Sequence, residues 1–378
     1  MRRHRQIEHE SRRHATGAPY CVMVPLTLDL TPPECAFASD NAAGAHPVIL
    51  EAVIAANSGH ELAYGDDPHT RRCEALFGEL FGAPVTTLLT FNGTGANVLA
   101  LAAALGPSQG IVCTSWSHIA VDETGAPERV LGAKLIDLPS ANAKLTPADI
   151  ADQARHLGVM HHVQPGVVSV TQSTELGTMY TPDEIGEICE TAHGLGMLVH
   201  LDGARIANAV AAHGQGVASL RAMTTDAGVD VVSFGGTKNG LLGGEAVVIC
   251  NPDLVRWAPY LRKQVTQLPS KMRFIAAQFN AALTDELWIT TADHANQMAT
   301  YLYDSVRNLP GITFDAPPVV NAVFPCLPDE IIEPLREWCF FWDWDRPRSQ
   351  VRWMTAWDTT AKDVDRFVAG VRHLLSSS

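Results

Sequence analysis

From residue 85 onward, short runs rich in Val, Ile, Leu and Thr alternate with longer Ala-, Leu- or charge-bearing stretches. That alternation predicts an α/β fold whose mainly parallel sheet is covered on both faces. Strands are expected at 86–91, 111–116, 134–138, 167–171, 197–202, 229–234 and 246–250, seven in all. The connections read as helices. The clearest follows Thr181, a capping residue; Pro182 suits the first helical position and Gly194 marks the expected stop. Beyond about residue 290 the pattern changes to a long helical segment, a crossing at Pro317-Pro318 and a Trp-rich stretch from Trp338 to Trp357. This divides the chain into an extension over 1–36, a large domain over 37–290 and a smaller α+β domain over 291–378. Residues 1–36 carry Arg2, Arg3, Arg5, Arg12 and Arg13 but also Glu8 and Glu10, and are expected to be a flexible extension rather than a targeting segment.

Composition narrows the class. Hydrophobic residues make up 46% and charged residues 18%, as in a folded globular chain. A formal net charge of −14 repels phosphate backbones, so nucleic acid is not an expected partner. No apolar run reaches the ~18 residues of a membrane-spanning helix. Eight singly spaced cysteines suggest reduced thiols in a cytoplasm, not a disulfide or zinc framework. His60-Glu61 and His161-His162 lack metal-ligand spacing, so no metal is expected.

In sheets of this kind, ligands bind beyond the carboxyl ends of the strands. Three polar motifs fall there. Phe91-Asn92-Gly93-Thr94-Gly95-Ala96-Asn97 ends a strand and opens a helix, and its glycines and free amides suit a phosphate; a tight turn alone is an equal reading. Leu198 to Arg205 ends a buried strand in Asp202, with Arg205 close behind; by itself the motif reads as a structural ion pair. Val231 to Gly240 carries Lys238 in a glycine-rich turn, without the Gly-Lys-Ser/Thr order of a nucleotide-binding loop. Together the three meet the needs of one cofactor. Pyridoxal 5'-phosphate requires a helix N-terminus for its phosphate, a carboxylate for its pyridine nitrogen and a lysine to hold it as an imine. Desolvation near Lys238 would lower its pKa and leave a neutral amine to attack a carbonyl carbon, whereas by itself the motif reads as a solvated turn lysine.

These residues, with Ser39-Asp40-Asn41 and Tyr64-Gly65-Asp66-Asp67-Pro68, resemble the L-threonine aldolases in order and spacing. Thr171 to Thr178, Ser270-Lys271-Met272-Arg273 and Val351-Arg352-Trp353-Met354-Thr355 look like the low-specificity, phenylserine-type branch. The resemblance runs from about residue 37 to the C-terminus. It implies an aspartate-aminotransferase-like fold and active sites shared within a homodimer or homotetramer. The implied reaction is cleavage of L-threonine and related β-hydroxy-α-amino acids to glycine and an aldehyde. A different pyridoxal-phosphate reaction on the same fold, such as β-elimination, racemisation or transamination, is the alternative, and a non-catalytic binding protein a remote one.

Residue by residue, the resemblance makes Lys238 the imine lysine, Asp202 the partner of the pyridine nitrogen, and Gly93, Thr94 and Gly95 the phosphate turn. His118 becomes the catalytic histidine that stacks on the ring and assists proton transfer. Arg205, Arg352 and Ser39 become carboxylate-binding groups, a role suited to planar guanidinium groups. Tyr64 and Thr174 join the substrate contacts, and Lys271 and Arg273, surface charges on sequence alone, become cations reaching a neighbouring subunit's cofactor. One departure stands out. Another branch has a histidine in an Asn-Thr-His-Asn context, where this chain reads Ser173-Thr174-Glu175-Leu176, which leaves the general base and the threo/erythro preference open. The Trp-rich stretch reads as core packing, with an aromatic-aldehyde pocket as the alternative.

Overall fold

The computed structural model describes residues 28–377. Its seven-stranded sheet comprises β1 (Thr86–Thr90), β2 (Gln109–Thr114), β3 (Leu135–Leu138), β4 (Gln164–Thr171), β5 (Leu198–Gly203), β6 (Val231–Gly235) and β7 (Glu245–Ile249). The spatial order is β1-β7-β6-β5-β4-β2-β3. Every expected strand is present, displaced by no more than a few residues at its ends. Only β7 runs antiparallel to its neighbours, pairing with β1 and β6.

Side chains alternate between the two sheet faces, so each strand feeds two cores. Val168, Val170, Val199, Leu201, Val232, Phe234 and Val248 enter one core, with helices Pro68–Phe81, Pro182–Gly194 and Arg273–Leu283 above them. Val167, Val231, Val247 and Ile249 enter the other, beneath helix Gly93–Ala104. That helix is buried over most of its circumference, which explains its Ala- and Leu-rich composition. In helix Pro182–Gly194, Thr181 Oγ1 accepts from the Glu184 amide and Glu184 returns a bond to the Thr181 amide, closing a capping box. The helix runs through Gly194, one position past the expected stop. Leu195 caps it, and the left-handed conformation falls on Gly196 (φ 74°).

A second sheet carries Trp342–Asp345, Gln350–Met354, Pro325–Cys326 and Thr313–Phe314, in that order, with Ala322–Val323 also pairing to Gln350–Met354. It packs a core of its own, including Phe341, Trp353 and Phe367. Helix Leu287–Val306 bridges the two cores: Trp288 and Ala292 enter the first, Ala299, Leu302 and Val306 the second. Of the expected extension, residues 1–27 lie outside the described residues. Leu28 and Cys35 lie against the second core, where Leu30 O accepts from Trp338 Nε1 (2.8 Å).

His200 is fully buried on β5 between Ser169 of β4 (2.9 Å) and Ser233 of β6 (3.0 Å). The neutral ring satisfies both hydroxyls, one nitrogen donating and the other accepting. Burial pushes its pKa down to about 4. The unfolded chain therefore binds a proton between about pH 6.5 and 4 that the folded chain refuses. The contribution to stability is complete above pH 6.5 and is lost as pH falls toward 4, by roughly 2–3 kcal/mol. Urea unfolding at pH 7 and pH 4.5 is expected to show that loss in the wild type and a smaller one in His200→Asn; equal losses count against it.

Candidate active site

The parallel strands deliver their carboxyl ends to one edge, and the antiparallel β7 brings its first residue there: Glu245 lies opposite Thr90 of β1 and Gly235 of β6. The turns leaving this edge carry the chemistry. Lys238 sits in the 3-10 turn Thr237–Asn239 directly after β6. The turn is anchored by the Gly236 amide donating to Glu245 Oε2 (2.6 Å) and by Asn239 Nδ2 donating to Trp288 O (2.7 Å). Burial first, and then the Arg205 charge, lower the Lys238 pKa. A cavity of ≈ 150 Å³ is lined by Lys238 with Ser39, His118, Glu175, Arg205 and Arg352, among others.

Asp202 ends β5 in a second, smaller cavity shared with Gly93, Asn97 and Glu245. Its Oδ2 accepts from Asn97 Nδ2 (2.8 Å) and its Oδ1 from the Ala204 amide (3.0 Å). The same Asn97 nitrogen donates to Glu123 Oε1 (2.9 Å), which also meets His118 Nδ1 at 2.9 Å. A polar chain thus runs Asp202–Asn97–Glu123–His118 and links the two cavities. The Glu123 contact raises the His118 pKa against the opposing effect of burial. It also fixes the neutral ring's tautomer, with Nδ1 donating to the carboxylate.

The expected Asp202–Arg205 ion pair is not formed. Arg205 presents Nε and Nη2 to Asp40 (2.6 and 2.9 Å), and Asn321 Nδ2 adds a bond to the same carboxylate (3.2 Å). The reason is geometric: Asp202 ends a strand while Arg205 turns away with the chain, and a bidentate fork needs a coplanar carboxylate. Burial opposes ionisation of Asp40, yet Arg205 holds its carboxyl below the usual range. Arg352, on Gln350–Met354, keeps more of its guanidinium free. It donates to Ala38 O (3.2 Å), lies over the Trp344 ring (4.9 Å) and has its pKa pushed down to about 10 by burial and then by Arg205.

At the helix N-terminus Asn92 Oδ1 accepts from the Gly95 amide (2.8 Å), and a Cβ on Gly93 would meet nothing within 4 Å. A Cβ on Gly95 would fall 2.2 Å from the Gln267 carboxamide, which would have to move from its bond with the Phe91 amide. Thr94 lies half-buried in the first turn. Thr174 lines the larger cavity, its hydroxyl engaged with that of Thr178 (2.7 Å).

The chain matches the family model described as beta-eliminating lyase over residues 36–327. It is 42% identical over 344 residues to a low specificity L-threonine aldolase of Pseudomonas aeruginosa, spanning 90% of this chain and 98% of that one. A second low specificity L-threonine aldolase, from another Pseudomonas strain, is 40% identical over the same spans. The chain belongs to the threonine aldolases of the beta-eliminating lyase family. The solved structure of Leishmania major threonine aldolase superimposes with a TM-score of 0.83 at 31% identity, over 90% of this chain and 99% of that one.

Not every residue expected of a threonine aldolase gathers at Lys238 within this chain. Tyr64 is exposed, with Lys263 over its ring (5.2 Å) and its amide bonded to Ser270 O (2.9 Å). Lys271 and Arg273 flank the same segment at a separate surface cavity. Asp40 and Asn97 fall within the family motifs but carry no role readable from sequence, and Glu123, Gln267 and Asn321 come to the site only through the fold. The Trp-rich stretch divides: Trp353 is core, while Trp344 lines the cavity and stacks on Trp116 (6.5 Å).

Proposed function

We propose that this threonine aldolase holds pyridoxal 5'-phosphate on Lys238 and cleaves β-hydroxy-α-amino acids, L-threonine among them, to glycine and an aldehyde. The observation that carries the reading is the placement of a desolvated lysine, a histidine tethered to a carboxylate and a partly free arginine around one small cavity. The donor set fits the cofactor. Lys238 supplies an amine with lowered pKa; Asp202 supplies a carboxylate whose orientation is held from both oxygens; Gly93 leaves open space at a helix terminus with positive potential. Asn97 Oδ1 and Arg352 Nε are buried without partners, as expected of groups whose partner is a ligand.

When bound, pyridoxal phosphate supplies an electron-withdrawing ring that accepts the pair released at the substrate's α-carbon. The chain's own residues do the rest. Arg352 and Ser39 take the substrate carboxylate, and Arg205, held rigid by Asp40, adds positive potential without needing to move. Fixing the carboxylate determines which bond at the α-carbon is oriented for cleavage. His118, steadied by Glu123, supports the cofactor ring, and the small cavity limits water. On the same reading the enzyme is cytoplasmic and acts as a homodimer or homotetramer, with Tyr64, Lys271 and Arg273 serving a neighbouring copy's site. Residues 37–290 form the cofactor domain and 291–378 the domain that carries Arg352.

Two measurements follow. L-threonine, L-allo-threonine and the phenylserine diastereomers are each incubated with the cofactor-loaded enzyme; glycine from at least L-threonine is expected, and none from any of them overturns the reading. Arg352→Ala is expected to raise KM for L-threonine about 10- to 100-fold, the scale of a charged hydrogen-bonded contact. An unchanged KM removes Arg352 from the carboxylate site.

A further inference from the structure

We propose that Glu175 is the group that takes the β-hydroxyl proton of the substrate as the α-carbon to β-carbon bond breaks; this rests on the aldol reading above. Glu175 lies in the turn after β4 and lines the cavity shared with Lys238, His118 and Arg352. Its Oε1 is fixed from two sides, accepting from the amide of His118, four residues past β2 (2.8 Å), and from Thr171 Oγ1 at the end of β4 (3.0 Å). Its Oε2 is sealed from solvent and has no partner. A carboxyl with one oxygen pinned and the other unsatisfied beside a ligand cavity is placed to meet a ligand hydroxyl.

The neighbours set its charge. Asp202 faces it from β5 as a like charge, Arg205 opposes that from the following turn, and Tyr180 and Cys113 lie close enough to feel it. Burial above all, with Asp202, pushes the carboxyl up to about 7. Near neutrality it therefore populates both forms, the condition in which one group takes a proton and gives it back. His118 is engaged by Glu123 through its Nδ1 alone.

In the step, the β-hydroxyl O–H bond breaks and its proton bonds to Glu175 Oε2. The freed pair becomes the second carbon–oxygen bond of the aldehyde, the α-carbon to β-carbon bond breaks, and its pair stays with the α-carbon. The proton on Glu175 is then available to that carbon, so glycine and aldehyde together account for every atom of the substrate and the carboxylate is restored.

The test compares wild type, Glu175→Gln and Glu175→Asp, loaded with pyridoxal phosphate. For Glu175→Gln, kcat with L-threonine is expected to fall on the order of 100-fold or more with KM changed far less, and the acidic limb of the kcat–pH profile near pH 7 to vanish. Glu175→Asp restores part of the rate with a shifted limb. Independently of turnover, infrared pH-difference spectra of the cofactor-free wild type show a carboxyl titrating near pH 7 that Glu175→Gln lacks. A Glu175→Gln enzyme that keeps its rate and its acidic limb overturns the proposal, as does the absence of that infrared signal. If Glu175→Gln cannot hold the cofactor, Glu175→Asp decides: a limb identical to wild type overturns the assignment. A wild type that forms no glycine removes the aldol reading itself, which separates the two failures.

Discussion

Lys238→Ala is expected to abolish steady-state formation of glycine from L-threonine, by on the order of 10³-fold or more, while the protein stays folded. The expectation follows from where the amine sits. Lys238 is desolvated beside Arg205, so its charged form is disfavoured and the neutral nucleophile is populated nearer to physiological pH than in a free lysine. A loss on this scale exceeds that from removing an ordinary hydrogen bond, because on the proposed reading the lysine is the cofactor's point of attachment. Removing a disfavoured buried cation leaves stability equal or raised. Glycine formation and urea unfolding measured on the same preparation separate the two effects. Residual turnover within about tenfold of wild type contradicts the assignment.

Asp40→Ala carries the largest expected stability loss, about 3–5 kcal/mol. Asp40 is buried and holds both Nε and Nη2 of Arg205, and it also accepts from Asn321 Nδ2 and from the Ser39 hydroxyl. Deleting the carboxylate strands the Arg205 guanidinium, which is largely buried, without its counter-charge. That residual penalty, rather than the loss of the pair's own attraction, is the main cost. Asp40→Asn keeps the shape and part of the hydrogen bonding, so a smaller loss is expected. Urea unfolding of the three proteins orders them wild type, Asp40→Asn, Asp40→Ala in decreasing stability. A loss below about 1 kcal/mol for Asp40→Ala shows that water or another group compensates Arg205.

Some features of the site can be read along the chain and others cannot. The seven strands were legible because each is a short apolar run, buried along most of its length except at the edge strand β3, and Lys238 and Asp202 because one lies in the turn after such a run and the other near its end. Their cooperation was legible because one cofactor requires both. Asp40 was not: its partner Arg205 is 165 residues away, and no periodicity connects a short 3-10 turn near residue 40 to the turn after β5. Adjacency instead favoured Asp202 as that partner, since spacing records proximity along the chain and not the direction of a guanidinium fork. Gln267 stayed hidden for a similar reason: its carboxamide covers Gly95 and accepts from the Phe91 amide (3.0 Å), contacts set by how helix Ala258–Gln264 ends. Helix Leu287–Val306 belongs to both cores, so a change in pattern near residue 290 locates a new layer without locating a break between layers.

The central claim is that Lys238 carries the cofactor within the cavity it shares with Arg352 and Glu175. Its most direct test is borohydride reduction of the pyridoxal-phosphate-loaded enzyme, followed by proteolysis and mass mapping of the modified peptide. The account predicts a single stoichiometric phosphopyridoxyl group on Lys238, with loss of the visible absorption band. Modification of a different lysine, such as Lys271, or a protein that takes up no cofactor, contradicts it.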